Sequence, residues 1–346
     1  KELGGRCRDK RASVRAESMA ALGKLFDLAY PQIEAHDTAA TEHFGWIPKV
    51  VLDVLRVIGT ESLVLDTVEK YILPFPSNVE DEAAWTSRLL LVLKCAQSPD
   101  DFAMKALWSM ANIEDVKRPT LFEHFVDICQ KYNGGIIDED EEKVKAMLKD
   151  LIKKTAQALG EQPGSDRVAA DLLAFAKLND NRLYRLLRTS MDPKQELKSL
   201  LKCRAELLKR LQASSNASVI DTMSKFWRRS SFPFFNRSSV GPLLRTLQNG
   251  KTGLVKASQM DDKSQSTLKV QDYDAFVVNA QKLLEHVAAV LPAMFVSHIS
   301  DLIKCLSDAS NSVALKIALR AIAAIACSEP AALTLVKEKK VIDRIA

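Results

Sequence analysis

The stretch "RDKRASVRAESMAALGKLF", residues 8–26, joins a short polar turn to an alanine-rich amphipathic run. Asp9 lies in the turn, and Val14 and Arg15 follow five and six positions later. From Val14 onwards the apolar residues recur at steps of three and four, which is the period of one helix face. The stretch therefore predicts a turn that leads into a helix with one buried side.

The same spacing returns near the other end, in "CLSDASNSVALKIALRAIAAIA", residues 305–326. Asp308 precedes Val313 by five positions, and Ala314 stands where the first copy has an arginine. The pattern resembles the HEAT repeat, a pair of antiparallel helices. In such a repeat the aspartate caps the second helix, the valine fills the contact between repeats, and the arginine forms a ladder with a neighbouring aspartate. A globular helical bundle is the alternative that two copies leave open.

The composition favours helix over sheet throughout the 346 residues, because glycine and proline number only 12 each and aromatics make up 6%. Polar or proline-bearing breaks separate roughly fifteen amphipathic segments. We predict an all-α protein, a HEAT-repeat α-solenoid in which antiparallel helix pairs form a curved superhelix. Residues 1–346 are expected to be one solenoid segment of a longer protein, with a flexible linker or loop at residues 248–272, where apolar periodicity fades.

The cysteines and the apolar runs indicate a compartment and exclude a membrane span. No CxxC pair occurs, so the cysteines are predicted to be single buried thiols of a reducing compartment. The apolar run "VAAVLPAMFV" is about half the length that a membrane-spanning helix needs. The six cysteines are Cys7, Cys95, Cys129, Cys203, Cys305 and Cys327.

The sequence contains no complete catalytic or metal-binding motif. "NGKTG", residues 249–253, resembles the end of a phosphate-binding loop, but Arg245 replaces the glycine that the full motif needs, and no buried strand precedes it. The five histidines lack metal-ligand spacing. We therefore expect no enzymatic activity and no metal site. The histidines are His36, His43, His124, His286 and His298.

Basic residues concentrate in the second half. Residues 166–260 hold eighteen Lys and Arg against seven Asp and Glu, although the whole chain carries only +5. Arg182, Arg185 and Arg188 step by three and form a stripe on one helix face. Guanidinium forks pair well with phosphates or with acidic peptide. A solvated helical face is the alternative. Further basic candidates are Lys194, Lys198, Lys202, Arg228 and Arg229.

The aromatic residues divide into two groups. Trp85, Trp108 and Trp227 fall on apolar helical faces and are predicted to pack in the core, whereas Trp46 and Tyr184 lie beside polar residues and are candidate exposed anchors of a protein interface. No base-stacking array surrounds them, so sequence-specific reading of nucleic acid is unsupported.

Several ordered segments resemble fungal members of the precocious-dissociation-of-sisters family, the large HEAT-repeat regulators of the cohesin ring. The resemblance covers nearly the whole chain and is firmest over residues 8–250. The segments are "RDKRASVRAESMAALGKLFDLAY", "WIPKVVLDV", "VEKYILPFP", "DDFAMKALWSM", "DICQKYNGGIIDEDEEKVKAMLKDLIKKTAQAL" and "FAKLNDNRLYRLLRTSMDPKQELKSLLK".

The resemblance implies a non-enzymatic scaffold that binds the kleisin subunit of cohesin and regulates the release and maintenance of cohesin on chromatin, in the nucleus. It also implies the wings-apart-like release factor and the cohesin acetyltransferase as partners, and an inositol polyphosphate as a possible ligand. Contact with DNA would be weak or indirect. For the kleisin peptide or polyphosphate we choose, on charge and aromatic content, Tyr184, Lys105 and Trp108 together with the basic residues above.

Two other functions remain open. A different HEAT scaffold, such as a transport receptor or a phosphatase subunit, would show a more regular repeat than this chain does. A DNA-binding solenoid would use the basic second half, and its affinity would fall steeply with salt.

Overall fold

The computed structural model describes residues 2–110, 120–137, 140–160, 166–230, 235–258, 263–308 and 310–328. Within these ranges every regular element is helical, which confirms the all-α prediction. No single helix in the described ranges is both long and apolar enough to cross a membrane, and a single pair, sharply bent at Leu291, passes that test on length and composition alone.

Seven helices precede residue 111. They are α1 Glu2–Arg6, α2 Ala12–Glu34, α3 Thr38–Phe44, α4 Ile47–Asp53, α5 Glu61–Thr67, α6 Glu82–Cys95 and α7 Phe102–Met110. Short single turns at Val54–Arg56, Val68–Ile72 and Val79–Asp81 connect them.

Ten further helices follow in the described part of the chain. The middle six are α8 Leu121–Tyr132, α9 Glu141–Ala158, α10 Arg167–Ala176, α11 Asn181–Ser190, α12 Leu197–Ser214 and α13 Ala217–Ser230. The last four are α14 Val240–Ser258, α15 Lys263–Val290, α16 Ile299–Ser307 and α17 Ser312–Ser328. Short turns lie at Asn133–Gly135, Arg237–Ser239 and Pro292–His298.

Side-chain caps explain several helix starts that the polar breaks predict. Asp37 accepts a hydrogen bond of 2.8 Å from the Ala40 amide at the start of α3. At α8, the Thr120 hydroxyl accepts from the Glu123 amide and the Glu123 carboxylate accepts from the Thr120 amide. Each cap satisfies amides that have no partner inside the helix, and so it sets where the helix begins.

The helices enclose two hydrophobic cores. The first core is built by α1–α7 together with α14–α17, and its fully buried residues include Leu89, Leu283 and Ile317. The second core is built by the middle helices α8–α13, and Phe125 and Phe226 lie inside it. Helix α6 contacts both α14 and α15. Helices from the two ends of the chain are therefore neighbours in space, and the middle six form a cluster of their own.

The two copies of the repeat pattern differ in their turns. Asp9 accepts a hydrogen bond of 3.0 Å from the Arg11 amide, ahead of the helix, and no side chain caps α2, so the predicted cap at Asp9 is wrong. Arg15 donates to the carbonyl oxygens of Asp9 and Lys10 within its own turn. A ladder between neighbouring repeats stays a prediction for Asp9, Val14, Arg15, Asp308 and Val313.

In the second copy, Asn311 supplies the cap. Its side-chain oxygen accepts a hydrogen bond of 3.1 Å from the Ala314 amide, at the start of α17. Its side-chain amide donates to the carbonyl oxygen of Leu247 at 2.8 Å. Asp308 accepts from the amide and hydroxyl of Ser310, and Val313 packs against the first core.

The predicted linker at residues 248–272 is described only in part. Helices α14 and α15 extend into residues 248–272, and residues 259–262 lie outside the described ranges, so the linker stays a prediction. The six cysteines all lie in the described ranges and form no disulfide there, and four of them are buried as expected. Cys95 is half-buried and Cys327 is exposed, so the prediction of a buried thiol is wrong at these two positions.

Candidate functional site

Helix α11 carries the predicted arginine stripe, and Asp180 determines where this helix begins. The Asp180 carboxylate accepts hydrogen bonds of 3.0 Å from the amides of Arg182 and Leu183, and Arg210 of α12 donates to its other oxygen at 3.0 Å. Although burial raises the pKa of Asp180, the hydrogen bonds from Leu183 and Arg210 outweigh it and hold the pKa below its usual value. The carboxylate thus stays charged and ties α11 to α12.

The three arginines of the stripe have different environments. Arg182 is exposed, and its guanidinium lies 3.9 Å from Glu206 of α12. Arg185 is exposed and donates to the Asn181 carbonyl oxygen one turn earlier. Arg188 is half-buried and forms ion pairs with two carboxylates of α8, those of Glu123 and Asp127. Arg188 therefore joins helices, whereas Arg182 and Arg185 face solvent.

Tyr184 does not lie at the surface. Its side chain is 0% exposed, its ring packs edge-on against Phe175, and its hydroxyl donates to the carbonyl oxygens of Phe175 and Ala176. Burial raises the pKa of this hydroxyl. The prediction of an exposed anchor is wrong at Tyr184, because the hydroxyl has its partners inside the second core. The polar neighbours Arg182 and Arg185 gave no sign of this, because their side chains leave α11 in other directions and are exposed.

Trp108 likewise belongs to the core. Only 3% of it is exposed, and its indole ring contacts the rings of His286 and Phe235. The core prediction is confirmed, and Trp108 cannot contact a partner directly. Trp46 is half-buried, with its indole N–H donating to the His43 carbonyl oxygen at 2.7 Å, so it is only partly the exposed anchor that the sequence predicts.

The lysines that follow the stripe are exposed. Lys194 precedes α12, and Lys198 and Lys202 lie one turn apart on its outer face. Together with Arg182 and Arg185 they are exposed basic residues of α11, of α12 and of the segment between these helices, and we call this set the α11–α12 basic face.

The two cores meet at a cleft, and two of the predicted residues line it. Lys105 of α7 comes from the first core and Arg229 of α13 from the second. The cleft has a volume of about 500 Å³, in the range of clefts that bind ligands. We call it the α7–α13 cleft. The other lining residues are Leu55, Glu61, Leu65, Phe102, Ala106, Ser109, Met110, Phe122 and Ala158.

A network of charged side chains holds α7 at the edge of this cleft. The Arg56 guanidinium donates to Asp100 at 2.6 Å and lies 3.7 Å from the centre of the Phe102 ring. Lys282 of α15 donates to Asp101 at 2.7 Å. The hydrogen bond from Arg56 holds the pKa of Asp100 well below its usual value, so the Asp100 carboxylate is charged at neutral pH.

The chemistry of the α7–α13 cleft suits an apolar peptide with an acidic group. Its described lining residues are mostly aliphatic or aromatic, and among them Lys105 and Arg229 provide two positive charges against the carboxylate of Glu61. No sequence signal identifies the apolar lining, because Leu65, Met110 and Phe122 come from three helices that are separate along the chain.

Arg228, the neighbour of Arg229, turns towards acidic residues instead. Its guanidinium pairs with Asp66 of α5 at 3.4 Å and lies 3.8 Å from Glu69. It therefore links the two cores, and a role in partner binding stays a prediction. Within the described ranges, no group of three or more His, Cys, Asp or Glu side chains is placed to hold a metal ion.

Comparison with known proteins identifies similar chains. A sequence model of the family described as "Sister chromatid cohesion protein PDS5 protein" matches residues 1–346. The "Sister chromatid cohesion protein pds5" of Schizosaccharomyces pombe is 27% identical over 251 residues, which is 71% of this chain and 20% of that protein. The chain thus spans about a fifth of the length of this curated relative.

A solved structure described as "Structure of the Pds5-Scc1 complex and implications for cohesin function" has a similar fold. The TM-score is 0.62 and the identity 17%, over 87% of this chain and 41% of that one. This likeness confirms the helical solenoid that the sequence predicts.

Proposed function

The chain belongs to the PDS5 family of sister chromatid cohesion proteins, and from this premise we propose that it is a non-enzymatic scaffold that binds the kleisin subunit of cohesin. In this role it regulates how cohesin is released from chromatin and maintained there, inside the nucleus. The observation that carries the proposal is the fold shared over 87% of the chain with the protein of the Pds5–Scc1 complex. The release factor and the acetyltransferase named above are further partners in this proposal.

The α7–α13 cleft is the place we propose for the kleisin peptide. A scaffold of this kind needs no reacting group, only a surface that holds a short segment, and this cleft combines an apolar floor with Lys105 and Arg229. Apolar contact supplies most of the affinity of such interfaces, while charges set the orientation and the partner choice.

The α11–α12 basic face supports a second contact, with a negatively charged partner. Arg182, Arg185, Lys194, Lys198 and Lys202 are exposed there, and this concentration of charge would attract an acidic peptide or a phosphate-bearing ligand. The same face is what a DNA-binding role would use, so duplex DNA is included in the test.

The test is a pull-down of the N-terminal half of the organism's kleisin, of duplex DNA, and of both together, at physiological salt. We expect the kleisin to bind without DNA. A chain that carries Lys105→Glu and Arg229→Glu should retain the kleisin at least several-fold less. Lys24→Glu, at an exposed position of α2 outside the cleft and outside the α11–α12 basic face, should retain it as the unmodified chain does.

Two results would count against the proposal. If the kleisin is absent from every pull-down, the scaffold role loses its support. If instead DNA alone binds and its affinity falls steeply between about 50 and 200 mM salt, as the release of counterions requires, the DNA-binding alternative is favoured.

A further inference from the structure

A second cavity lies between the two cores, with a volume of about 390 Å³. The Val68–Ile72 turn and the segment that follows it form one wall, and helices α12 and α13 form the other. It shares no lining residue with the α7–α13 cleft. Its walls combine aliphatic side chains, among them Leu207, Leu211 and Met223, with the charged side chains of Glu69, Arg204 and Arg228.

Arg204 is the most unusual of these charged groups. Its guanidinium lies 4.6 Å from the centre of the Trp227 ring and 5.6 Å from that of Phe75. Among the described residues it makes neither a hydrogen bond nor an ion pair within 4.0 Å. Burial lowers its pKa, and nearby Glu69 acts in the opposite direction. The guanidinium lies over the Trp227 ring, which attracts its charge and leaves its N–H donors available to a ligand.

Glu69 provides a carboxylate beside the guanidinium of Arg204 in this cavity. One of its carboxylate oxygens, Oε2, is buried without a hydrogen-bond donor among the described residues, and the Nε atom of Arg228 lies 3.8 Å from it. Burial raises the pKa of Glu69, although Arg228 and Arg204 oppose the rise. Because Oε2 is buried, Glu69 acts on a ligand through its negative charge, which Arg228 and Arg204 oppose.

We propose that this cavity binds an extended peptide segment of a partner protein in which an acidic side chain stands next to a large aliphatic one. The acidic side chain pairs with the guanidinium of Arg204, which has N–H donors available beside the cavity. The aliphatic side chain packs against Leu207, Leu211 and Met223.

The charges of the lining residues favour such a peptide over a cationic side chain and over a phosphate-rich ligand. Among the described lining residues, Lys70, Arg204 and Arg228 carry positive charge and Glu69 carries negative charge. Asp66 pairs with Arg228, so about one positive charge is left over, and the cavity favours one negative charge and disfavours a cationic side chain. A phosphate-rich ligand would place several negative charges beside Glu69 and would leave the aliphatic wall uncovered. A peptide with one carboxylate satisfies both the charged groups and the apolar wall.

The inference is independent of the kleisin proposal and is tested with a defined probe. The chain is labelled with 5-fluorotryptophan, and its fluorine spectrum is recorded with the peptide acetyl-Gly-Leu-Asp-Leu-Gly-amide, with the matched Asn peptide, and with inorganic phosphate. We expect the Trp227 resonance, assigned with Trp227→Phe, to shift with the Asp peptide. The Asp peptide should bind at least five-fold tighter than the Asn peptide, and phosphate should not displace it.

Two substitutions separate binding from folding. Arg204→Lys keeps the charge and removes the planar guanidinium, so affinity for the Asp peptide should fall at least five-fold. Arg8→Lys, in the exposed turn ahead of α2, should leave that affinity unchanged. Glu69→Gln removes the negative charge beside the acidic side chain, so the preference for Asp over Asn should rise, an effect that a loosened fold would not produce. Melting curves of each variant verify that it is folded.

Equal affinity for the two peptides would overturn the proposal. So would an Arg204→Lys chain that is folded and binds the Asp peptide unchanged, or a Trp227 resonance that does not move at millimolar peptide.

Discussion

The indole ring of Trp108 and the imidazole ring of His286 lie 4.1 Å apart, centre to centre, with an angle of 32° between their planes. Trp108 belongs to α7 and His286 to α15, so this contact joins helices from the two ends of the chain. It is part of the first core, in which early and late helices share one apolar interior.

Truncation of Trp108 should destabilise both ends of the chain together. Trp108→Ala removes a side chain that is 97% buried, and we expect the free energy of unfolding to fall by about 3–5 kcal/mol. Urea denaturation followed by circular dichroism measures the change. Lys105→Ala, on the exposed face of the same helix, should stay within about 0.5 kcal/mol of the unmodified chain. If Trp108→Ala lowers the free energy of unfolding by no more than Lys105→Ala does, the position of Trp108 in the core would be contradicted.

Arg188 and Arg185 should behave differently although both belong to the stripe. Arg188→Ala breaks the ion pairs with Glu123 and Asp127 of α8, and we expect a loss of about 1 kcal/mol, because the pairs are partly exposed. Arg185→Ala should change stability by less than about 0.5 kcal/mol. Denaturation with urea at low and at high sodium chloride checks the origin of the loss, since salt should reduce the effect of Arg188→Ala. Identical curves for the two variants would refute this distinction.

The charge of Asp180 should contribute to stability in a pH-dependent way. Its pKa is lowered in the folded chain, so the contribution is fully present above the ordinary aspartate pKa of about 3.9 and is lost as the pH falls through the lower folded value. Asp180→Asn keeps the cap at the start of α11 and removes the charge opposite Arg210. We expect it to cost about 1 kcal/mol at pH 7, and the difference from the unmodified chain should shrink at acidic pH. Urea denaturation at pH 7, 5 and 3 tests this, and a difference that is constant with pH would rule it out.

Asn311 should contribute more to the stability of the fold than its position in a polar turn implies. Its side chain is buried, caps α17 and donates to the Leu247 carbonyl oxygen of α14. Asn311→Ala leaves that carbonyl oxygen and the Ala314 amide without these partners, and we expect a loss of about 2 kcal/mol. Thermal melting compares it with Ser310→Ala, an exposed neighbour that should have little effect. Equal melting temperatures for the two variants would show that the cap and the Leu247 bond are dispensable.

The sequence was a good guide wherever a property depends on neighbours along the chain. The three- and four-residue apolar steps predict the helical class, and the polar breaks predict starts such as those at Asp37 and Thr120. It failed at Tyr184, where polar neighbours suggested exposure. Helical residues next to each other point in different directions, so the environment of one side chain cannot be read from the residues beside it.

By itself, therefore, the sequence determined the helices, the family and the excess of basic residues on α11 and α12, because periodicity, ordered motifs and charge are properties of the linear chain. Tertiary structure alone decided that α7 contacts α15, that Lys105 and Arg229 line one cleft, and that the guanidinium of Arg204 lies over the Trp227 ring. These relationships join residues far apart in sequence. They arise because each amphipathic helix must cover its apolar face with whichever helices the fold brings beside it.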